Sequence, residues 1–179
     1  MKKNLLILGA GQFGLTVREL AESVGFFEKI DFLDDNNKIA VGKLTEYERW
    51  LANYPFAIVA IGSSTLRSEW TRRLEETGFE IPTLISSFAY VSPSARLGAG
   101  VIVEPLATVQ ARVSVGRGTI VSSGVVLRHD AAVGDFCHCD CNSVVASGAS
   151  VPSATKVEIG EVFRFNRKAQ GCGNVANRE

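Results

Sequence analysis

The chain reads as a small α/β half-domain followed by a parallel β-helix of hexapeptide repeats, and three patterns predict this. Strand-like and helix-like stretches alternate before residue 86, and a G-x-G-x-x-G turn follows the first apolar run. From Val91 to Phe163 a large apolar residue stands at every sixth position, with Cys139 as the one small member. Alternating strands and helices imply a parallel sheet. A six-residue period that never slips implies a solenoid whose coils bury one another.

In chain order, Asn4-Leu5-Leu6-Ile7-Leu8 is a buried strand of the parallel type, and Gly9-Ala10-Gly11-Gln12-Phe13-Gly14 follows it directly. Residues 15–23 have helical spacing through Leu15, Val17, Leu20, Ala21 and Val24, with Gly25 as the stop. A second strand, Ile30-Asp31-Phe32-Leu33, runs into the polar turn Asp34-Asp35-Asn36-Asn37. A third, Ala57-Ile58-Val59-Ala60-Ile61, ends in Gly62-Ser63-Ser64. Residues 68–77 read as a helix closed by Gly78, and Pro82-Thr83-Leu84-Ile85 as a last short strand leading to the repeats. The first domain is therefore placed at 1–86, the β-helix at 88–163, and an irregular tail at 164–179.

Within the repeats, the residue two before each large one is usually small, as at Ala95, Ala107, Thr119, Ala131, Cys137, Ser143, Ala149 and Thr155. Strand side chains two apart point the same way. Each hexad is thus a short strand with one large and one small inward residue, then a bend. Three bends per coil make a triangular prism, with Gly98, Gly116 and Gly134 as stacked corner glycines.

Bulk properties narrow the function. Lys and Arg balance Asp and Glu at 19 each and are scattered, which argues against a nucleic-acid partner. The apolar stretch after Met1-Lys2-Lys3 is too short for a signal peptide or a membrane span. Four cysteines, three of them at 137, 139 and 141, do not resemble a disulfide framework, so a cytoplasmic protein is expected. The Cys-His-Cys-Asp-Cys run invites a zinc reading. However, Cys137 and Cys139 fill the inward slots of the repeat, so no metal is expected.

Gly9, Gly11 and Gly14 stand where a diphosphate can approach the backbone at a helix N-terminus. Asp31, Asp34 and Asp35 lie where a ribose-binding acid would sit. Only one βαβ half fits before the prism, so a mononucleotide or nucleotide-sugar is favoured over a dinucleotide. A glycine turn without a ligand, with Asp34 and Asp35 as plain turn residues, is the other reading.

Leu8-Gly9-Ala10-Gly11-Gln12-Phe13-Gly14, Phe32-Leu33-Asp34-Asp35-Asn36, Val59-Ala60-Ile61-Gly62-Ser63, Pro82-Thr83-Leu84-Ile85 and Val91-Ser92-Pro93-Ser94-Ala95 occur here in one order. They are followed by Ser123-Gly124-Val125-Val126-Leu127-Arg128-His129-Asp130 and Val133-Gly134-Asp135-Phe136-Cys137-His138. In this the chain resembles the sialic acid O-acetyltransferases and UDP-4-amino-sugar N-acetyltransferases of bacterial surface-glycan synthesis (the NeuD and PglD type), over residues 4–151. The resemblance implies a Rossmann-like half-domain, a left-handed β-helix, a homotrimer, and acetyl-CoA as donor. It implies His129 as general base, a role suited to imidazole, with Asp130 fixing its tautomer. It places an oxyanion donor near Ser147 and Gly148, and His138 and Ser122 at the acetyl-donor or acceptor site. Gly9, Gly11, Gln12, Phe13, Gly14, Asp34, Asp35, Ile61, Gly62 and Arg67 would hold the nucleotide-sugar.

The chain also departs from the pattern. Phe13 and Leu15 replace a usual His and Arg, for which Arg18 or Arg67 could substitute; Ser122 replaces an Asn; and Arg128 stands where an acid is common. The coil that grips coenzyme A in the family is here Pro152-Ser153-Ala154-Thr155-Lys156-Val157-Glu158-Ile159-Gly160. The expected function is acetyl transfer to an amine or hydroxyl of a nucleotide-linked sugar. The alternative is a non-catalytic trimeric nucleotide-sugar-binding or scaffold protein that has lost coenzyme A. His129 and His138 lie half a coil apart, on different faces of one prism, so an active site using both needs two subunits.

Overall fold

A computed structural model describes residues 3–164. Its first strand, β1 (Asn4–Leu8), is apolar and buried from Leu5 to Leu8 and takes the middle of a parallel three-stranded sheet. The order is β2-β1-β3, with β2 at Lys29–Leu33 and β3 at Phe56–Val59. α1 (Gln12–Val24) follows β1 and α2 (Ser64–Thr77) follows β3, giving half of a doubly wound fold. Both helices stop where expected, at Gly25 and Gly78, each in the left-handed conformation that glycine adopts without a Cβ penalty. α1 starts earlier than its apolar spacing suggested and buries Gly14, Val17, Leu20 and Ala21, leaving Leu15 and Val24 exposed. Ser63 caps α2 by accepting from the Leu66 amide, which moves that helix start to Ser64. A 3-10 helix at Leu44–Trp50 was not foreseen.

Two-residue strands then recur every six residues. One face of the prism stacks Leu84–Ile85, Ile102–Val103, Ile120–Val121, His138–Cys139 and Lys156–Val157. A second stacks Tyr90–Val91, Thr108–Val109, Val126–Leu127, Val144–Val145 and Val162–Phe163. The third stacks Arg96–Leu97, Ser114–Val115, Ala132–Val133 and Ser150–Val151. All pairings are parallel and eighteen residues apart, as with Ile120 on His138, so the fold is the predicted half-domain plus left-handed β-helix. The prism core consists of the two inward positions of each repeat, from Val101 and Val103 up to Val157, and includes Cys137 and Cys139. Burial raises both thiols above the usual range, Cys139 to about 12, so they are protonated core residues rather than thiolate ligands.

The corners explain the register. The residue three after the large inward one has positive φ at Leu106, Arg112, Asp130, Phe136, Asn142 and Ala154, and at five glycines of the prism. One left-handed residue per bend lets the chain turn without breaking the ladders between coils. At Gly116 the limit is space: a Cβ there would lie 2.5 Å from the Asp135 amide nitrogen of the next coil.

The strand at Leu84–Ile85, expected as a last short strand leading to the repeats, pairs with Ile102–Val103 and so forms the first rung of its prism face. Its outward Leu84 and the neighbouring Ile102 share a core with β1, α1 and β2. The half-domain therefore caps one face of the prism through a common apolar cluster. The tail expected at 164–179 lies outside the described residues beyond Arg164. Among the described residues no helix is long and apolar enough to cross a membrane.

Candidate active site

The glycine turn joins β1 to α1 at the carboxyl end of the sheet. There the crossing from β2 over to β3 leaves the crevice where such sheets bind ligands. Gly9 has φ +105, and a Cβ on it would sit 2.8 Å from the Ala60 carbonyl. A Cβ on Gly14 would lie 2.1 Å from the Gly9 carbonyl. These two glycines are required by packing alone. Gly11 and Gly62 have nothing within 4 Å of a built Cβ. Gly11 borders an open hollow of about 510 Å³ with Asp34, Asn36, Asn37 and Lys38. α1 begins there with no side-chain cap, so its first amides are free for an anion.

Several residues assigned to this pocket have other duties. Phe13 is partly buried and packs against the half-domain core. Gln12 is exposed at the turn. Asp34 accepts the Ala10 amide at 2.8 Å and those of Asn36 and Asn37 at 2.9 Å, while Asn37 donates to the Ala10 carbonyl. Those amides, the Ala10 one foremost, hold the Asp34 carboxyl below the usual carboxylate range. Asp34 thus staples the two loops together at the edge of the hollow. Asp35 accepts the Leu44 amide at the start of the 3-10 helix. Asp31 is taken by Lys29 and the Tyr54 hydroxyl. Arg18 pairs with Glu22 on the helix surface. Arg67, expected among the nucleotide-sugar-binding residues, is 1% exposed, and its Nε, Nη1 and Nη2 all donate to backbone carbonyls, so its side chain is already spent inside the fold.

On the prism the predicted residues form two groups. His129 lies in the bend after Val126–Leu127, between the second and third faces, with its side chain about half exposed. Its Nδ1 lies 2.7 Å from Asp130 Oδ2, and its amide donates to Gln110 Oε1 at 2.9 Å. Arg112, one coil below, clasps Asp130 with two bonds of 2.6 and 2.8 Å. Arg112, with help from His129, holds the Asp130 carboxyl down at about 2. Asp130 is therefore ionised at any working pH and keeps the proton of a neutral ring on Nδ1, leaving Nε2 as a free acceptor. Arg112 and Gln110 were missed, although spacings of eighteen and nineteen residues mark both as one coil away.

One coil above, the Gly148 amide donates to the His129 carbonyl at 3.2 Å and is already used. Ser147 is different: its buried Oγ has no partner among the described residues, and no bond is made there by its amide.

The second group sits where the first face meets the second. His138 Nε2 lies 3.1 Å from the buried Ser122 Oγ and 3.9 Å from Asp140, which Lys156 also reaches at 3.2 Å. Burial lowers the His138 pKa, so its ring is neutral near pH 7. Glu104, missed in the sequence, is buried one coil below Ser122 and accepts the Ser123 amide and hydroxyl. The two histidines share no contact. Among the described residues no cluster of three metal-ligating side chains occurs.

Comparison with known proteins adds chemistry to this geometry. The family model for the PglD N-terminal domain matches residues 4–74. Perosamine N-acetyltransferase from Caulobacter crescentus, solved with CoA and GDP-perosamine, is 25% identical at a TM-score of 0.79. That match spans 89% of this chain and 90% of the other. The acetyltransferase domain of PglB from Neisseria gonorrhoeae is 25% identical at 0.59, over 91% and 92%. WeeI from Acinetobacter baumannii, 16% identical at 0.54 over 89% and 93%, shares the fold.

Proposed function

We propose that this chain, placed with the PglD-type sugar acetyltransferases by its N-terminal domain and its fold, moves acetyl from acetyl-CoA to an amine or hydroxyl of a nucleotide-linked sugar. The observation that carries the proposal is the His129 ring, pinned at Nδ1 by an ionised Asp130 and open at Nε2. The acceptor nitrogen or oxygen attacks the thioester carbonyl carbon while Nε2 takes its proton. The Ser147 amide, not that of Gly148, is the donor available to the oxyanion. Collapse breaks the C–S bond, and the imidazolium returns its proton to the departing thiolate. Acetyl-CoA supplies the acyl group; every other contribution comes from side chains and amides of the protein. The hollow bordered by Gly11, Asp34, Asn36, Asn37 and Lys38 holds the nucleotide.

One chain does not complete this site, because His138 and Ser122 lie at the far edge of the second face from His129. That face is also the one built for association. The first is covered in part by the half-domain, and the third presents Arg96, Ser114, Ala132 and Ser150. The second presents Tyr90, Thr108, Val126, Val144 and Val162, a largely apolar strip left uncovered. Three copies with these faces toward a common axis bring the His129 corner of one against the His138 corner of the next.

The test is thiol release from acetyl-CoA with a panel of UDP-, dTDP- and GDP-linked amino-sugars. Activity with one of them, cut about 10²- to 10⁴-fold by His129→Ala, is the expected result. Stabilisation by nucleotide-sugars with no response to CoA and no thiol release would instead establish the non-catalytic binding protein.

A further inference from the structure

Arg67 is the one large charged side chain in the described residues that is fully buried. No carboxylate meets it. Its Nε donates to the Gly118 carbonyl at 2.7 Å, and Nη2 to those of Phe136 and Cys137 at 2.8 and 3.1 Å. Its Nη1 donates to the carbonyls of Ile61 and Gly62 at 2.8 and 2.9 Å. Three of these acceptors belong to stacked bends of the prism; two belong to the loop between β3 and α2. Burying a cation without a counter-ion is costly, and an apolar side chain would join the domains more cheaply. Here burial lowers the Arg67 pKa to about 10, which still leaves it charged at neutral pH. What an apolar contact cannot supply is direction. A planar guanidinium fixes five acceptors in one geometry.

The two ends of this clamp are informative. Ile61 and Gly62 follow β3 beside the glycine turn: the side chain of Ile61 and the carbonyl of Ala60 back directly onto Gly9, and a Cβ on Gly62 would meet nothing within 4 Å. At the other end, the Cys137 carbonyl is one peptide bond from His138, whose ring meets Ser122. The ion pair between Arg117 and Glu75 also joins prism to α2, but its side chains are more than a third exposed, so it is a weak fastener.

Building on the acetyl-transfer reading, we propose that Arg67 is a positioning residue. It locks the nucleotide-bearing loop to the His138 strand and so sets the offset at which the sugar acceptor reaches the acyl centre. Arg67→Lys, which keeps the charge but loses the fork, and Arg67→Met, which loses both, test this in the full-length protein. The measurements are kcat for the best sugar of the panel, KM for acetyl-CoA, and calorimetric affinity and stoichiometry for the matching nucleoside diphosphate.

Misplacing reactants by about an ångström costs up to about 100-fold, so kcat of Arg67→Lys is expected to fall about 10- to 100-fold. The nucleoside diphosphate affinity and the acetyl-CoA KM should move less than about threefold, because each ligand keeps its own domain. A purely structural role would instead lower binding stoichiometry and kcat in equal proportion. That proportional loss, or an unchanged kcat, overturns the proposal. A wild-type protein inactive on the whole panel removes the acetyl-transfer reading and this proposal with it. An active wild type whose Lys variant keeps its kcat overturns this proposal alone.

Discussion

Mixing two inactive variants gives a number that follows from the geometry. In the proposed trimer of prisms, each reaction centre would take His129 from one copy and His138 from its neighbour. A His129→Ala chain keeps a competent His138 corner, and a His138→Ala chain keeps a competent His129 corner. Co-assembled at equal amounts, a given centre has the competent chain in each of its two positions with a probability of one half, so about a quarter of centres are restored. The side chains altered lie on bends and outward strand positions, and the inward core of the prism is untouched. The assay is thiol release after co-expression with two affinity tags, selecting trimers that carry both chains. That selection discards pure trimers and raises the expected recovery to about one third of wild type, one centre in three, by the same counting. Recovery at the level of the single variants, in trimers shown to be mixed, would refute a centre shared between copies.

Three further outcomes follow. Asp130→Asn presents an amide to Nδ1 and shifts the ring proton to Nε2, where the base must be empty; kcat measured at saturating substrates should drop about 10²- to 10⁴-fold with little change in melting temperature. Val144→Asp puts three like charges along the association face, so sedimentation should show monomers with unchanged circular dichroism and no acetyl transfer; an intact trimer contradicts the placement of that face. His138 is depressed chiefly by burial, with Asp140 and Glu158 opposing and Arg67 and Lys156 adding to it. The unfolded chain therefore takes up its proton first, and this residue's contribution to stability is full above about pH 6.5 and lost as pH falls through the lower folded value. Urea titrations between pH 7.5 and 5 (roughly a unit either side of the ordinary value) should show this slope in the wild type and a smaller one in His138→Gln.

The fold was legible because its signal repeats. Inward pairs such as Val113 and Val115, or Cys137 and Cys139, recur with a fixed period, and each coil restates the same burial rule. The boundary was less legible, because Leu84–Ile85 satisfies both a sheet strand and the first rung of the prism. The His129–Asp130 contact is between sequence neighbours and could be read directly. Arg112 and Gln110 were readable only once the eighteen-residue coil was used as a ruler. Arg67 was named as a ligand candidate, but its role as a clamp between the domains was not readable. Its acceptors on the prism are 51 to 70 residues away and are backbone carbonyls, which carry no side-chain signature. The same holds for Asp34: its sequence marks a turn, and only the fold brings the Ala10 amide to it.

A crystal structure with coenzyme A and the nucleotide-sugar substrate is the most direct measurement of the central claim. It should show the acceptor atom about 2.6–3.2 Å from His129 Nε2. It should also show the sulfur end of the coenzyme between that ring and His138 of the adjacent copy. An acceptor bound out of reach of His129, or a coenzyme seated within a single prism, would contradict it.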